Sequence, residues 1–127
     1  MKTTIGVITA AAVGAVLALA PAAAAKDGDV LRQGTCTGAS SSKLKLSPED
    51  GGIEVEFEVD QNRNGVRWTV LVTRNGAAVA RTVRVTRGPS GSFEARLVTA
   101  NRPGTDRFVA RATRVGERCS ARASWAA

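Results

Sequence analysis

The chain has 127 residues and a formal net charge of +7, from 18 Lys and Arg against 11 Asp and Glu. It has no His and no Tyr, and its single Met is Met1. That composition excludes Ser-His and Cys-His triads, His general bases, His-ligated zinc and Met/His copper sites. Catalysis would have to rest on carboxylates, Lys or Arg, and the expectation is a protein that is not an enzyme and carries no cofactor and no metal.

The first segment, residues 1–25, has the pattern of a secretory signal peptide. Met1-Lys2 gives a basic start, Ile5 to Ala20 is apolar or small, and Pro21 precedes four alanines ending at Ala25. A retained membrane anchor is the weaker reading, because the segment is Ala-rich, barely long enough to span, and ends in a cleavage-like site. No Cys directly follows the apolar region, so no lipoprotein anchor is expected, and no second long apolar run occurs near the C-terminus. The expected mature chain is residues 26–127, secreted, one β-sandwich domain, with no transmembrane segment after cleavage.

Val30 to Cys36 has the pattern of a first strand weakened by Gly34, and Lys43-Leu44-Lys45-Leu46 of a short second one. The segment from Ser47 to Gly52 is a turn signal. Ile53, Val55, Phe57 and Val59 then alternate with Glu54, Glu56, Glu58 and Asp60, the pattern of a half-buried strand. Trp68, Val70 and Val72 form the apolar set of the next strand, and Asn75-Gly76 is the preferred dipeptide of a type I′ hairpin turn. The returning strand places Val79, Val83 and Val85 on one parity with Arg81. After the loop Arg87-Gly88-Pro89-Ser90-Gly91, Phe93, Ala95 and Leu97 share one side of a strand; so do Phe108, Ala110 and Ala112; so do Cys119, Ala121, Ala123 and Trp125. Seven or eight short strands with turn signals between them predict an all-β antiparallel sandwich.

Cys36 and Cys119 are the only cysteines. An even count in an exported chain predicts a disulfide. Closing so long a loop is worth about 4.5 kcal/mol in the chain-entropy account. Two cysteines without His make a poor zinc site, and a redox pair usually comes as Cys-x-x-Cys.

Trp68 within Val-Arg-Trp-Thr-Val resembles the buried Trp on the third strand of immunoglobulin-like domains, and Gly104-Thr105-Asp106-Arg107-Phe108-Val109-Ala110 resembles the corner before their sixth strand. The sequence departs from that pattern in having Phe108 for the corner Tyr and in the placement of its cysteines. The resemblance implies an immunoglobulin-like or fibronectin type III architecture. The mature chain is also similar to small exported single-domain proteins of high-GC actinobacteria. They share the Gly-Thr-Cys start, Ile-Glu-Val-Glu-Phe-Glu-Val-Asp, the Trp strand with its Asn-Gly turn, Ser-Gly-Ser-Phe and the late Gly-Glu-x-Cys. That resemblance implies no activity.

Three patterns could carry chemistry. Asp60-Gln61-Asn62-Arg63-Asn64-Gly65 matches the start of a calcium loop, but its twelfth position is Leu71 where a bidentate Glu belongs, and the same residues suit a turn. Glu54, Glu56 and Glu58 could in principle supply an acid–base pair. An open sheet face is the simpler reading, with Lys43, Lys45 and Arg96 as cross-strand partners. The third pattern is the arginines. Residues 26–60 hold 4 basic and 8 acidic residues; residues 61–127 hold 13 basic residues, all Arg, and 3 acidic ones. If the strands of Trp68, Phe108 and Cys119 are neighbours, Arg67, Arg107, Arg111, Arg118 and Arg122 all face outward as one basic patch, with Glu117 in a turn beside them. The alternative is that Arg keeps a β-surface soluble and guards its edges.

The expected function is that of a secreted interaction module whose basic face meets an anionic cell-wall polymer, lipid surface or acidic protein, without specific nucleic acid recognition. The alternative is a small inhibitor of an extracellular hydrolase presenting the loop 87–91.

Overall fold

A computed structural model describes residues 28–126. The expected signal peptide lies outside the described residues. Among these residues nine strands form two antiparallel sheets: β1 (Val30–Gln33), β2 (Thr35–Cys36), β3 (Ser41–Glu49), β4 (Gly52–Asp60), β5 (Arg67–Arg74), β6 (Ala77–Val85), β7 (Ser92–Ala100), β8 (Thr105–Arg114) and β9 (Glu117–Ala126). The first sheet has the order β1-β3-β4-β7 and the second β2-β9-β8-β5-β6. Among the described residues there is no helix.

The expectation of seven or eight strands is corrected to nine at Gly34. The segment 30–36 is two strands, one in each sheet: β1 pairs with β3 and β2 with β9. Gly34 makes the crossing, and a Cβ there would stand 2.3 Å from Ser42 Oγ and 2.4 Å from the Ser120 carbonyl oxygen. No larger residue fits so close a backbone approach.

The turn expected over 47–52 shrinks to Asp50-Gly51, because Ser47, Pro48 and Glu49 continue β3 opposite Glu54, Ile53 and Gly52. Pro48 is tolerated in a strand because β1 ends opposite Leu46, so Pro48 stands past that end on an edge. Asn75-Gly76 closes the β5–β6 hairpin as expected, with φ of 51° and 87°. One residue later the ladder slips. Val72 pairs with Ala80 and Thr73 with Ala78, leaving Val79 as a bulge that packs against the core. Val79 is therefore separated in role from Val83 and Val85, which are 41% and 37% exposed.

Between the sheets, Leu44, Leu46, Ile53, Val55, Phe57, Val59 and Phe93 meet Trp68, Val70, Val72 and Phe108. The inner faces of β8 and β9 are mostly alanine, at 110, 112, 121 and 123. Large side chains on β3 and β4 complement these small ones across the interior. Trp68 is fully buried, its ring 6.0 Å from that of Phe93, and its Nε1 donates to Gln61 Oε1 at 3.0 Å. Trp125 is half-buried against the same core. Cys36 and Cys119 are directly opposed in the β2–β9 ladder and form a disulfide.

Two buried ionic groups close the ends of the sandwich. At one end Arg74 Nη2 donates to Asp106 Oδ2 at 2.6 Å, and Nη1 donates to Thr99 Oγ1 and the Ala100 carbonyl on β7, so one side chain ties the two sheets. The Arg74 guanidinium also lies over the Phe108 ring. Asn75 Nδ2 donates to the other Asp106 oxygen. At the opposite end Glu117 accepts from Ser40 N, Ser40 Oγ and Arg114 Nη2. Glu117 is thus buried at the start of β9, facing inward with Cys119, and not beside the outer arginines.

Candidate functional site

The second sheet presents its outward positions along five adjacent strands. On β9 these are Arg118, Ser120, Arg122 and Ser124; on β8, Arg107, Val109, Arg111 and Thr113; on β5, Arg67, Thr69, Leu71 and Thr73. β5, β8 and β9 are neighbours, so the adjacency on which the arginine reading depended is present. No carboxylate occupies an outward position on these three strands, since Asp106 and Glu117 both point inward and are buried.

The register brings four of the five arginines together. Arg122 is level with Val109, and Arg118 with Thr113. Each therefore sits diagonally between outward residues of β8: Arg122 between Arg107 and Arg111, Arg118 beside Arg111. Diagonal neighbours on a sheet are about 7–8 Å apart, within reach of long side chains. Arg67 is not part of this run. It pairs with Val85, one row beyond Thr69, and β8 has already ended there. It stands two strands away from Arg118.

Arg81 was missed. Its partner is Leu71, whose other partner is Arg111, so Arg81 lies in one row with Arg111 on the same face. Its parity alone could not reveal this, because the side on which β6 lies depends on the bulge at Val79. None of the six outward arginines, at 67, 81, 107, 111, 118 and 122, forms an ion pair among the described residues. Beside Arg111 and Arg118 the sheet surface dips into an open hollow of about 400 Å³. Thr35, Thr37, Thr113 and Ser120 line it together with the two arginines and the Cys36–Cys119 disulfide. The lining offers hydroxyl and guanidinium donors and no acid, which is chemistry suited to an oxyanion.

The opposite outer face is the contrast. Lys43 pairs with Glu58 at 3.2 Å, Lys45 with Glu56 at 3.0 Å, and Arg96 with Glu54, the three partners the alternation predicted. Hydrogen bonding to Glu56 raises the Lys45 pKa, against a smaller effect of burial. The three glutamates on β4 are thus held in cross-strand pairs on an open surface. A further carboxylate of this face, Glu94 on β7, has its pKa raised by burial and then by the charges of Glu56 and Glu58.

In the segment resembling a calcium loop, Asp60 Oδ1 accepts a hydrogen bond from Asn62 N at 3.0 Å, the local closure of an Asx turn. The Glu117 carboxylate and the two cysteine sulfurs fall within 4.8 Å of one another. The sulfurs are bonded to each other and so are not thiolate ligands.

No protein-family model, curated protein or solved structure matches the chain.

Proposed function

We propose that this protein is a secreted, non-catalytic interaction module that binds an anionic partner through the outer face of the β2-β9-β8-β5-β6 sheet. The observation that carries the reading is the unpaired state of that face: six outward arginines, no outward carboxylate on β5, β8 or β9, and no ion pair to any of the six among the described residues. Fixed positive charge of this density raises the local concentration of anions and speeds their encounter. Arg binds carboxylate and phosphate through a planar fork that Lys lacks.

Export is part of the proposal, supported by the residues 1–25 and by the disulfide, which persists in oxidising compartments. So are the likeness to small exported actinobacterial proteins and the immunoglobulin-like architecture, the latter supported by the adjacency of β9, β8, β5 and β6. The Trp68 strand, β5, lies in the sheet opposite β3 and β4, as the third immunoglobulin strand lies opposite the first two, whereas the split segment of β1 and β2 is additional to that pattern. The inhibitor reading has less support. Segment 87–91 turns back on itself, with Gly91 N donating to the Arg87 carbonyl, and does not present an extended strip of backbone.

The test is retention of the purified protein on heparin and on anionic vesicles at low and high salt. Retention is expected at low salt and loss at high salt. The pair Arg107→Glu with Arg111→Glu should abolish it. The control pair, Arg32→Glu with Arg87→Glu, changes net charge equally but lies on β1 and in the β6–β7 loop, so it should leave most of the retention. Equal loss from both pairs, or no retention of the wild type at low salt, overturns the reading.

A further inference from the structure

Four of the outward arginines form a line with a regular step. Arg107 and Arg111 belong to β8, while Arg122 and Arg118 belong to β9, level with Val109 and Thr113. Measured along β8, the four fall at positions 107, 109, 111 and 113, taken alternately from the two strands. Two residues of strand advance about 6.6–6.8 Å, so the four rungs advance about 7 Å each along the strand axis, about 20 Å in all, and alternate sideways by one strand spacing of about 4.8 Å, which puts successive Cα atoms about 8 Å apart.

That step is the repeat of a particular polymer chemistry. Where phosphates bridge three-carbon units, as in glycerol phosphate or a sugar–phosphate backbone, six bonds separate successive phosphorus atoms. Six bonds also separate alternate Cα atoms in a strand, and an extended chain covers about 6.6–7.2 Å over them. One phosphate per arginine therefore fits the advance along the strand axis, with the long arginine side chains leaning inward across the sideways offset. Each guanidinium can hold two oxygens of its phosphate. Uncharged residues flank the line: Val109, Ser120 and Ser124 between the rungs, and Thr35, Thr37 and Thr113 around the hollow at the Arg111–Arg118 end. No aromatic residue occupies an outward position of this sheet among the described residues. A nucleobase would find no ring to stack on, so the polymer would be held by its backbone alone.

We propose that β8 and β9 form a track for a linear phosphodiester polymer, four phosphates long and parallel to the strands. The track deepens the anion-binding reading above and rests on it. It also assigns distinct roles within the face: Arg107, Arg122, Arg111 and Arg118 are rungs, whereas Arg67 and Arg81 contribute only to the field.

The test uses oligo(glycerol phosphate) of two to eight phosphates, abasic deoxyribose-phosphate and thymidine oligomers of equal phosphate number, and oligoglutamate of equal charge. Affinity for oligo(glycerol phosphate) should climb steeply to four phosphates and then rise only by the number of binding registers. The slope of log affinity against log salt should be about −3 for four contacts on a single strand. Changing any one rung to Gln should reduce the slope by about 0.7, while Arg67→Gln and Arg81→Gln leave it unchanged. Equal binding of the glycerol and abasic oligomers supports the shared backbone chemistry. Preference for either of the two identifies the source and also supports the track. Thymidine oligomers binding more than tenfold tighter than abasic ones would overturn backbone-only recognition. Oligoglutamate binding as tightly as oligo(glycerol phosphate), or equal slope changes from rung and non-rung arginines, would overturn the track and leave the basic face standing. No binding of any oligomer at low salt would overturn both.

Discussion

The two outer faces of the sandwich are built by the same alternation and treat charge in opposite ways. On β3, β4 and β7 opposite signs meet across the strands: Lys43 is level with Glu58, Lys45 and Arg96 flank Glu56 in one row, and Arg96 reaches diagonally to pair with Glu54. On β9, β8 and β5 each row sets an arginine against an uncharged residue: Arg107 against Ser124, Arg122 against Val109, Arg111 against Ser120 and Leu71, Arg118 against Thr113. No arginine directly opposes another on this face, although direct opposition is what like charges on a sheet must avoid. The comparison teaches that register, more than composition, decides whether surface charge is neutralised internally or left available. It also separates the arginines into kinds, since Arg74 belongs to neither face.

The comparison is sharpened most by Arg74. Its side chain is 2% exposed and that of Asp106 7%, and it bonds to both sheets. Arg74→Met should lower unfolding stability by about 3–5 kcal/mol, because an uncompensated buried charge remains. Arg111→Met, one strand away on the outer face, should stay within about 0.5 kcal/mol of wild type. Urea unfolding measures both. Equal costs for the two variants would mean that the outer arginines have a structural role, and the contrast between faces would collapse.

A second effect, smaller, is in acid. The Arg74 hydrogen bond lowers the Asp106 pKa below its ordinary 3.8; burial opposes this and Asn75 adds to it. For Glu117 burial alone would raise the pKa, but hydrogen bonds from Ser40 and Arg114 outweigh it and the net shift is down from 4.5. A carboxyl whose folded pKa is depressed contributes its full stabilisation above the unfolded value and loses it as pH falls through the folded one. Thermal stability should therefore be flat above about pH 5 and fall below about pH 4. The gap between wild type and Asp106→Asn should be largest near neutrality and narrow in acid. A gap that stays constant across that range would show that Asp106 is not held ionised by Arg74.

The sequence carried the alternation, and with it most of the inward residues, the Asn75-Gly76 turn, the three cross-strand pairs of Glu54, Glu56 and Glu58, and the outward direction of five arginines. Arg74 was legible too, since it continues the inward parity of Trp68, Val70 and Val72, and an arginine in that position requires a buried partner. What alternation cannot specify is which strands become neighbours and at what offset. The crossing at Gly34 is a tight approach to Ser42 and Ser120, residues far along the chain. The line of four arginines exists only because Val109 is level with Arg122, a choice made by the β8–β9 turn two residues long between Arg114 and Glu117. Arg81 joins the face only through the one-residue bulge at Val79. Such offsets are set by turn geometry and long-range packing, and a single-residue slip reverses every side chain.

The smallest expected effect is at Glu94, where a row of the paired face sets like charges side by side. In the row Lys43–Glu58–Glu94 the lysine satisfies Glu58, and Glu94 is left directly opposite a like charge. Burial, then the charges of Glu56 and Glu58, raise its pKa, so folding disfavours its ionised form. The sign is opposite to that of Asp106: this carboxyl costs stability once pH rises above its unfolded value and costs nothing in acid. Glu94→Gln should therefore stabilise the protein at pH 7 and be silent below about pH 4. Because Glu94 is exposed, solvent screens the repulsion and the gain should be only a few tenths of a kcal/mol. Glu94→Lys should gain slightly more, since it would complete an alternating row of Lys, Glu and Lys. Added salt should shrink both gains. If Glu94→Lys destabilised the protein at low salt, cross-strand pairing would not be what governs this face, and the unpaired arginines opposite could not be singled out by their lack of it.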